Sequence, residues 1–348
     1  MRRNCVSVAP CGAESMRHSR RLPDNAVQTG CGARQTSAKP AFAACAAGLL
    51  LASFISAAAS ANSVTSGGDC ANARATAYDL KKHERNAQDM ALALLGFLND
   101  NVQRVAIVSR AGSDLSGYRF RRPSKQKYTH AGLAWKSSRD GLWRFRHVLN
   151  VCAGESSDIF VQSLVQFFDD DPFYYDVRAG VPSVELQEGI ASILEDEEAS
   201  QRLHNPKYSN IANPFNTQYQ NSNGWVLAVI ASAQVGLKTY QDVQSRFGRL
   251  GYVPSQVKVG FFRQFGSLFT ANATVEDHPR PVDGWFEFVS AASLYRYVGT
   301  TDRLLRNVEL CHVAGCGIPV RIVSANGASD RTRNRSELGR TGVDAERR

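Results

Sequence analysis

Two strand-like runs joined by a short polar loop lie between Tyr128 and Asn150, and they constrain the fold more than any other feature. The first run ends at Trp135, the second starts at Leu142, and the residues Lys136–Gly141 connect them. Such runs around a polar connection are typical of an antiparallel hairpin. We therefore predict an antiparallel sheet in this part of the chain.

The predicted hairpin brings two histidines, His130 and His147, onto one face. If Trp135 and Leu142 form its last pair, the numbers of paired residues sum to 277, so His130 lies opposite His147. Directly opposed residues have Cβ atoms roughly 5 Å apart. We expect the imidazoles to touch, one ring acting as a base and the other setting its tautomer. The alternative is that His147 is a core histidine and His130 a polar strand residue.

Two residues are candidate nucleophiles for such a base. Ser222 lies in Gln220–Trp225, immediately before an apolar helix predicted over Trp225–Val235. The positive end of the helix dipole and the backbone N–H groups there favour a nucleophile and an oxyanion. The alternative is that this stretch of N-cap residues only starts the helix. Cys152, just past the second histidine strand, is the alternative nucleophile, unless it is a disulfide partner.

The remaining periodicities indicate an α+β fold in which an antiparallel sheet packs against helices. Helices are predicted over 70–99, 157–168, 184–194, 225–235 and 239–250, and further strands over 105–109 and 173–177. The segment Trp285–Val298 is expected to be a strand that turns into a helix. About 260 residues lie between the leader and the tail, a length that favours one domain with insertions.

The first 61 residues form a predicted leader. Ala41–Ala58 is an unbroken small and apolar stretch, and Ala59-Ser60-Ala61 has the A-x-A pattern of a signal-peptide cleavage site. We expect cleavage after Ala61, a periplasmic or secreted protein, and no membrane span after cleavage; the alternative is a retained anchor. The predicted parts are therefore a leader over 1–61, a globular domain over 62–323 and a tail over 324–348.

The net charge does not indicate a nucleic-acid partner. The formal charge of the whole chain is +9. The leader carries seven basic residues against Glu14 and Asp24, and the tail six arginines against four acids, so most of the excess lies outside the predicted domain. The tail is rich in Ser, Gly, Asn and Arg and is expected to be disordered. A nearly neutral domain lacks the basic footprint of nucleic-acid binding.

Four cysteines, Cys70, Cys152, Cys311 and Cys316, remain after the predicted cleavage. An even number in an exported chain favours disulfides, and four cysteines allow three pairings. Cys311 and Cys316 are the expected local bridge, with Cys70 and Cys152 as a further pair. His312 between two thiols suggests a metal, but two more ligands are missing. We expect neither a metal nor a cofactor.

The histidine region resembles a known group of enzymes. Residues Arg104–Asn150, with a strand, Tyr-Thr-His-Ala-Gly and a second histidine strand, are similar to the permuted branch of the papain-like NlpC-type hydrolases, which includes the lecithin retinol acyltransferase type. The resemblance implies a permuted papain-like core, a small antiparallel sheet packed against helices, with helical additions. It also implies that His130 is the base, His147 orients it, and Ser222 occupies the position of the family's cysteine.

A second resemblance covers most of the mature chain. Its motifs are Ser109–Gly112, His147–Asn150, Phe167–Phe168, Ile211–Pro214 and Gln220–Trp225. They are similar to an uncharacterised secreted bacterial family, domain of unknown function 2145, whose description implies no activity.

Together these features predict an exported hydrolase or acyltransferase that acts on an amide or ester of the cell envelope. A peptidoglycan peptide or an acylated envelope component is the expected substrate, with serine in place of the usual cysteine. The alternative is a catalytically inactive relative that binds an envelope peptide or lipid. A third hypothesis is a structural envelope protein whose histidines belong to the core.

Overall fold

The computed structural model describes residues 77–112, 115, 118–151, 156–169, 174–258, 274–279, 282–301, 303–312 and 320–324. The side chains of 77–81, 282 and 320–324 are not described. Cys311 is disulfide-bonded. The leader, the tail beyond Ser324 and the cysteines Cys70, Cys152 and Cys316 lie outside the described residues, so cleavage, export and the cysteine pairings stay predictions.

The described chain contains seven α-helices and ten strands. The helices are α1 (Ala77–Asn101), α2 (Leu164–Asp169), α3 (Val184–Glu195), α4 (Glu197–Arg202), α5 (Ser222–Val235), α6 (Tyr240–Gln244) and α7 (Ala291–Thr300). The strands are β1 (Val105–Ala111), β2 (Arg119–Arg121), β3 (His130–Lys136), β4 (Trp143–Asn150), β5 (Ser157–Gln162), β6 (Tyr174–Pro182), β7 (Ser255–Lys258), β8 (Trp285–Phe288), β9 (Leu304–His312) and β10 (Val320–Ser324).

The centre of the fold is a seven-stranded sheet in the order β10-β9-β6-β1-β3-β4-β5, with antiparallel pairing throughout. A second sheet has the order β2-β7-β8. The predicted α+β class and the antiparallel sheet packed against helices are confirmed. The expectation of a small sheet is wrong, because β6 pairs with β1 and β9, which are far from it in the chain, and β10 adds a further strand beside β9.

Helices cover the sheet on both faces, since alternate strand residues point to opposite sides. On the first face, called the α1 face, helices α1 and α2 pack against Ala106, Val108, Ala134, Phe145 and Val177. On the opposite face, called the α5 face, helices α3, α5 and α7 pack against Val105, Ile107, Leu133 and Val148. Each of these strand residues is fully buried.

Helix α5 is the central helix of its face. All seven residues from Trp225 to Ala231 are inaccessible to solvent, as expected for a helix that is apolar on every side. The Asn221 side chain caps its first turn by accepting a hydrogen bond from the backbone N–H of Gly224 at 2.7 Å. The predicted helix is confirmed, and so is the capping function of the residues before it.

The predicted helix over 157–168 is wrong in its first half. Residues Ser157–Gln162 form strand β5, which pairs with β4, and only Leu164–Asp169 are helical. The apolar residues of this stretch fit both periodicities, and the free edge of β4 decides between them through backbone hydrogen bonds. The helix predicted over 239–250 is also shorter, because α6 ends at Gln244 and turns follow it.

The other predicted helices and strands lie close to their expected positions. Helices α1 and α3 and strands β1 and β6 lie where the periodicity indicates, and Trp285–Val298 is strand β8 followed by α7. Within the described part of the chain, no helix combines the length and the apolar composition that a membrane crossing requires.

The sheet and α7 approach each other closely at Gly180 of β6. A Cβ added there would lie 2.7 Å from Tyr295 Cε1 and 3.0 Å from Leu304 Cδ1. The Tyr295 hydroxyl beside it donates to the backbone oxygen of Arg178 at 2.7 Å and lies 3.0 Å from Ser109 Oγ. This tyrosine therefore anchors α7 on the sheet.

We expect Gly180→Ala to lower the free energy of unfolding by about 1–3 kcal/mol, because the added methyl displaces the Tyr295 ring. The matched control is Gly96→Ala in α1, where an added Cβ meets nothing within 4 Å. That change should leave stability unchanged or raise it by up to about 1 kcal/mol through helix propensity. Urea unfolding of both variants measures the difference; equal stabilities contradict the packing.

Candidate active site on the α1 face

The hairpin of β3 and β4 has a different register from the predicted one. Leu133 pairs with Arg146 and Lys136 with Trp143, so the numbers of paired residues sum to 279 rather than 277. His147 therefore lies opposite Gly132, and His130 is its diagonal neighbour. The error of two preserves the face on which each residue lies, because side chains alternate with a period of two.

The predicted contact between the two histidines is present. His130 Nε2 lies 2.7 Å from His147 Nδ1, a hydrogen-bond distance, and the two rings meet edge to face. Gly132 makes this diagonal contact possible. A Cβ at Gly132 would lie 2.8 Å from His147 Cβ and 2.5 Å from Phe145 Cε1, so any side chain there would displace the histidine.

A third residue, Gln162 at the end of β5, extends the contact into a hydrogen-bonded chain. Gln162 pairs with Phe145 and so shares the face of His147. Its Oε1 lies 2.9 Å from His147 Nε2. The chain His130–His147–Gln162 thus crosses three neighbouring strands on the α1 face.

The amide oxygen of Gln162 determines which ring nitrogen carries the proton in His147 and in His130. An amide oxygen only accepts, so His147 Nε2 carries the proton. With both rings neutral, His147 Nδ1 then accepts from His130 Nε2–H. His130 Nδ1 is left as an unprotonated acceptor, which is the form a general base requires.

The surroundings keep His130 neutral. Burial, the neighbouring His147 and the Arg110 guanidinium lower the pKa of His130 well below its usual value. Arg110 is the β1 residue paired with His130, and its side chain is buried. Phe167 of α2 covers this group, with its ring centroid 5.0 Å from the Arg110 guanidinium carbon, 6.3 Å from the His130 ring and 5.7 Å from the His147 ring.

The structure does not bring Ser222 to the histidines. Ser222 begins α5 on the opposite face of the sheet, where it is buried beside Tyr208. The Asn223 side chain next to it donates to the backbone oxygens of Thr129 and Val289. The described contacts of His130 are instead with His147, Phe167 and Arg110. The residues around Ser222 therefore cap α5 and attach its first turn to the sheet.

Cys152 lies outside the described residues, but its neighbours in the chain are described. Strand β4 runs antiparallel to β3, so its exit at Asn150 and Val151 lies at the same end of the sheet as His130. The backbone N–H of Val151 donates to the backbone oxygen of Ser156 at 2.9 Å. The last described residues before Cys152 therefore lie at the histidine end of the sheet.

The sequence did not indicate three residues of this site: Arg110, Gln162 and Phe167, whose ring covers the histidines. Gln162 was missed because its segment fits a helix as well as a strand. Read as a strand, the spacing of Phe160 and Gln162 places the glutamine beside His147. Arg110 follows five buried residues of β1, and a cation near the end of such a strand is the signal that points to it.

The fold and the site define an α+β protein with a histidine-centred candidate active site. Over residues 97–298 the chain matches the model of a family described as an uncharacterized protein conserved in bacteria (DUF2145). This match covers more than half of the 348 residues, so the chain belongs to that family. The comparisons with curated proteins and with solved structures found no match. The predicted family is thus confirmed, whereas the resemblance to permuted papain-like hydrolases is not.

We expect Gln162→Leu to lower the free energy of unfolding by about 1–3 kcal/mol, because it leaves the buried His147 Nε2–H without its acceptor. Gln162→Glu is the matched control, since it keeps an accepting oxygen at the same place, and it should cost less. Urea unfolding of the two variants tests the hydrogen bond. If the leucine variant is as stable as the wild type, His147 does not depend on this acceptor.

Proposed function

We propose that the protein is an exported hydrolase or acyltransferase that cleaves an amide or ester of the cell envelope through an acyl-enzyme intermediate. The observation that carries this proposal is the chain His130–His147–Gln162, which leaves His130 Nδ1 unprotonated at the end of the sheet. A base oriented by a second residue is the arrangement that activates a nucleophile.

Cys152 is the proposed nucleophile, as a free thiol rather than as the disulfide partner of Cys70. It follows β4 in the sequence, and the described end of β4 lies at the histidine end of the sheet, whereas Ser222 lies on the other face. In the proposed reaction His130 Nδ1 takes the thiol proton, and the sulfur attacks the carbonyl carbon. The imidazolium then gives its proton to the leaving amine or alcohol. Water, or a hydroxyl acceptor in acyl transfer, releases the acyl group with His130 again as the base.

Arg110 supports a thiol nucleophile at this place. Its charge lies at the same end of the sheet as His130, and a nearby cation stabilises a thiolate. The proposal retains the base and the orienting residue of a permuted papain-like enzyme. It departs from that pattern at the nucleophile, which would come from the loop after β4 rather than from the start of α5.

The envelope as the site of action follows from the predicted signal sequence, and the disulfide at Cys311 supports an oxidising compartment. Peptidoglycan peptides and acylated envelope components are the two proposed substrate classes. A second candidate function is binding of an envelope peptide or lipid without catalysis. A disulfide between Cys70 and Cys152, the further pair that the sequence allows, would favour it, because the site would then have no free thiol.

The test is thiol labelling of the full chain with an iodoacetamide probe, together with assays of peptidoglycan-peptide and ester hydrolysis. Cys152→Ser should abolish labelling of the reactive site, and His130→Ala should slow labelling and hydrolysis by about 100-fold or more, the usual contribution of a general base. Ser222→Ala is the matched control and should keep the activity of the wild type.

Three results would contradict the proposal or part of it. Labelling that does not depend on His130 removes the histidine as the base. Loss of activity in Ser222→Ala, with Cys152→Ser unaffected, overturns the assignment of the nucleophile. Saturable binding of envelope peptides or lipids without any hydrolysis replaces catalysis by the binding function.

A further inference from the structure

A cavity of about 460 Å³ lies on the α5 face, away from the histidines. One wall is a single side of α7, formed by residues at helical spacing, Ala292, Tyr295, Arg296 and Gly299. The other wall comes from β6 and β9 and comprises Arg178, Leu304 and Asn307, with Pro123 at the edge. This volume lies within the range of small-molecule sites.

Arg178 is held rigidly in the wall of this cavity. Its Nε donates to Asn307 Oδ1 at 2.8 Å, and its guanidinium carbon lies 4.1 Å from the centroid of the Tyr295 ring. Tyr295 is itself fixed by its hydroxyl and by the close approach to Gly180. The guanidinium is thus oriented before any ligand binds.

The two terminal nitrogens of Arg178 make no hydrogen bond within the described part of the chain. Glu309 is its cross-strand partner, yet the ion pair of Glu309 is with Lys127, at 3.9 Å. Lys127 also pairs with Asp176 at 2.9 Å. The charge of Arg178 therefore has no ion-pair partner among the residues that the structure describes.

Arg296 adds a second positive charge. Its terminal nitrogens donate to the backbone oxygens of Arg122 at 2.8 Å and of Val253 at 2.6 Å, which hold the side chain in place without neutralising it. Among the described residues that line the cavity, none is acidic. Two fixed guanidinium groups thus border a space large enough for a small molecule.

We propose that this cavity binds a small molecule through an oxyanion group, a phosphate or a carboxylate. A guanidinium presents parallel N–H donors that match two oxygens of such a group, and the pairing is strongest where the arginine is already oriented. The site is separate from the histidine chain, and it stands whether or not the proposed catalytic function is correct.

Titration calorimetry and thermal unfolding of the full chain test the site with inorganic phosphate and with succinate, each against sodium chloride at equal ionic strength. We expect saturable binding of one or both anions at concentrations up to roughly 10 mM, with a rise in the melting temperature. Binding of phosphate alone, or of succinate alone, identifies which oxyanion the site prefers.

Arg178→Gln and Arg296→Gln should each weaken binding by about 10-fold or more, because each removes a charged donor. Arg306→Gln is the matched control. It removes the same charge from β9, but its exposed side chain lies on the opposite face from Asn307, and it should bind as the wild type does.

Ala292→Leu keeps the test decisive if an arginine variant fails to fold, because it fills the cavity without removing a charge. It should also weaken binding while leaving the circular dichroism spectrum unchanged. The proposal is overturned if sodium chloride reproduces the effect of both anions. It is equally overturned if the folded Arg178→Gln or Ala292→Leu protein binds as tightly as the Arg306→Gln control.

Discussion

The hydrogen bond between His130 Nε2 and His147 Nδ1 is the interaction on which the candidate active site depends. It requires the observed register of β3 and β4, a glycine opposite His147 and a hydrogen-bond acceptor on a third strand. Gly132 supplies the space, and Gln162 supplies the acceptor that fixes the tautomer of His147. A buried polar chain of this kind is stable only when each donor meets an acceptor. The hydrogen bonds among His130, His147 and Gln162 therefore fix the relative positions of β3, β4 and β5, and Phe167 covers them.

The seven-stranded sheet separates two sites with different chemistry. The α1 face carries a neutral imidazole chain beneath an aromatic cover, and the α5 face carries two arginines around a cavity. Ser222 belongs to the second face, at the start of α5, where the neighbouring Asn223 joins the helix to Thr129. Ser222 and the two histidines, which the resemblance assigns to one site, therefore lie on different faces of the sheet.

Much of the fold follows from the sequence, because hydrophobic period and capping are local signals. The apolar run after Asn221 predicts α5, and the polar loop between two strand-like runs predicts the hairpin. The histidine contact was predicted for a partly wrong reason: the register was off by two, but parity kept both side chains on one face. A Gly132 that removes the steric barrier then allowed a diagonal contact in place of a direct one.

The remaining features depend on distant parts of the chain, which local patterns do not report. Ile159 and Phe160 fit a helix until the edge of β4 is available to pair with them, and this choice hid Gln162. The pairing of β6 with β1 and β9 enlarges the sheet, and it brings Arg178 beside Asn307. Likewise, only the packing of α5 shows that Ser222 and His130 lie on different faces of the sheet.

The ¹⁵N chemical shifts of the imidazole rings test the central claim most directly, because protonated and unprotonated ring nitrogens give well-separated signals. At about pH 7.5, above the usual histidine pKa of about 6.5, we predict that His130 and His147 are both neutral, with the proton on Nε2 and a bare Nδ1. Assignment uses His130→Gln and His147→Gln. A proton on His130 Nδ1, whether in the other tautomer or in an imidazolium, would contradict the account.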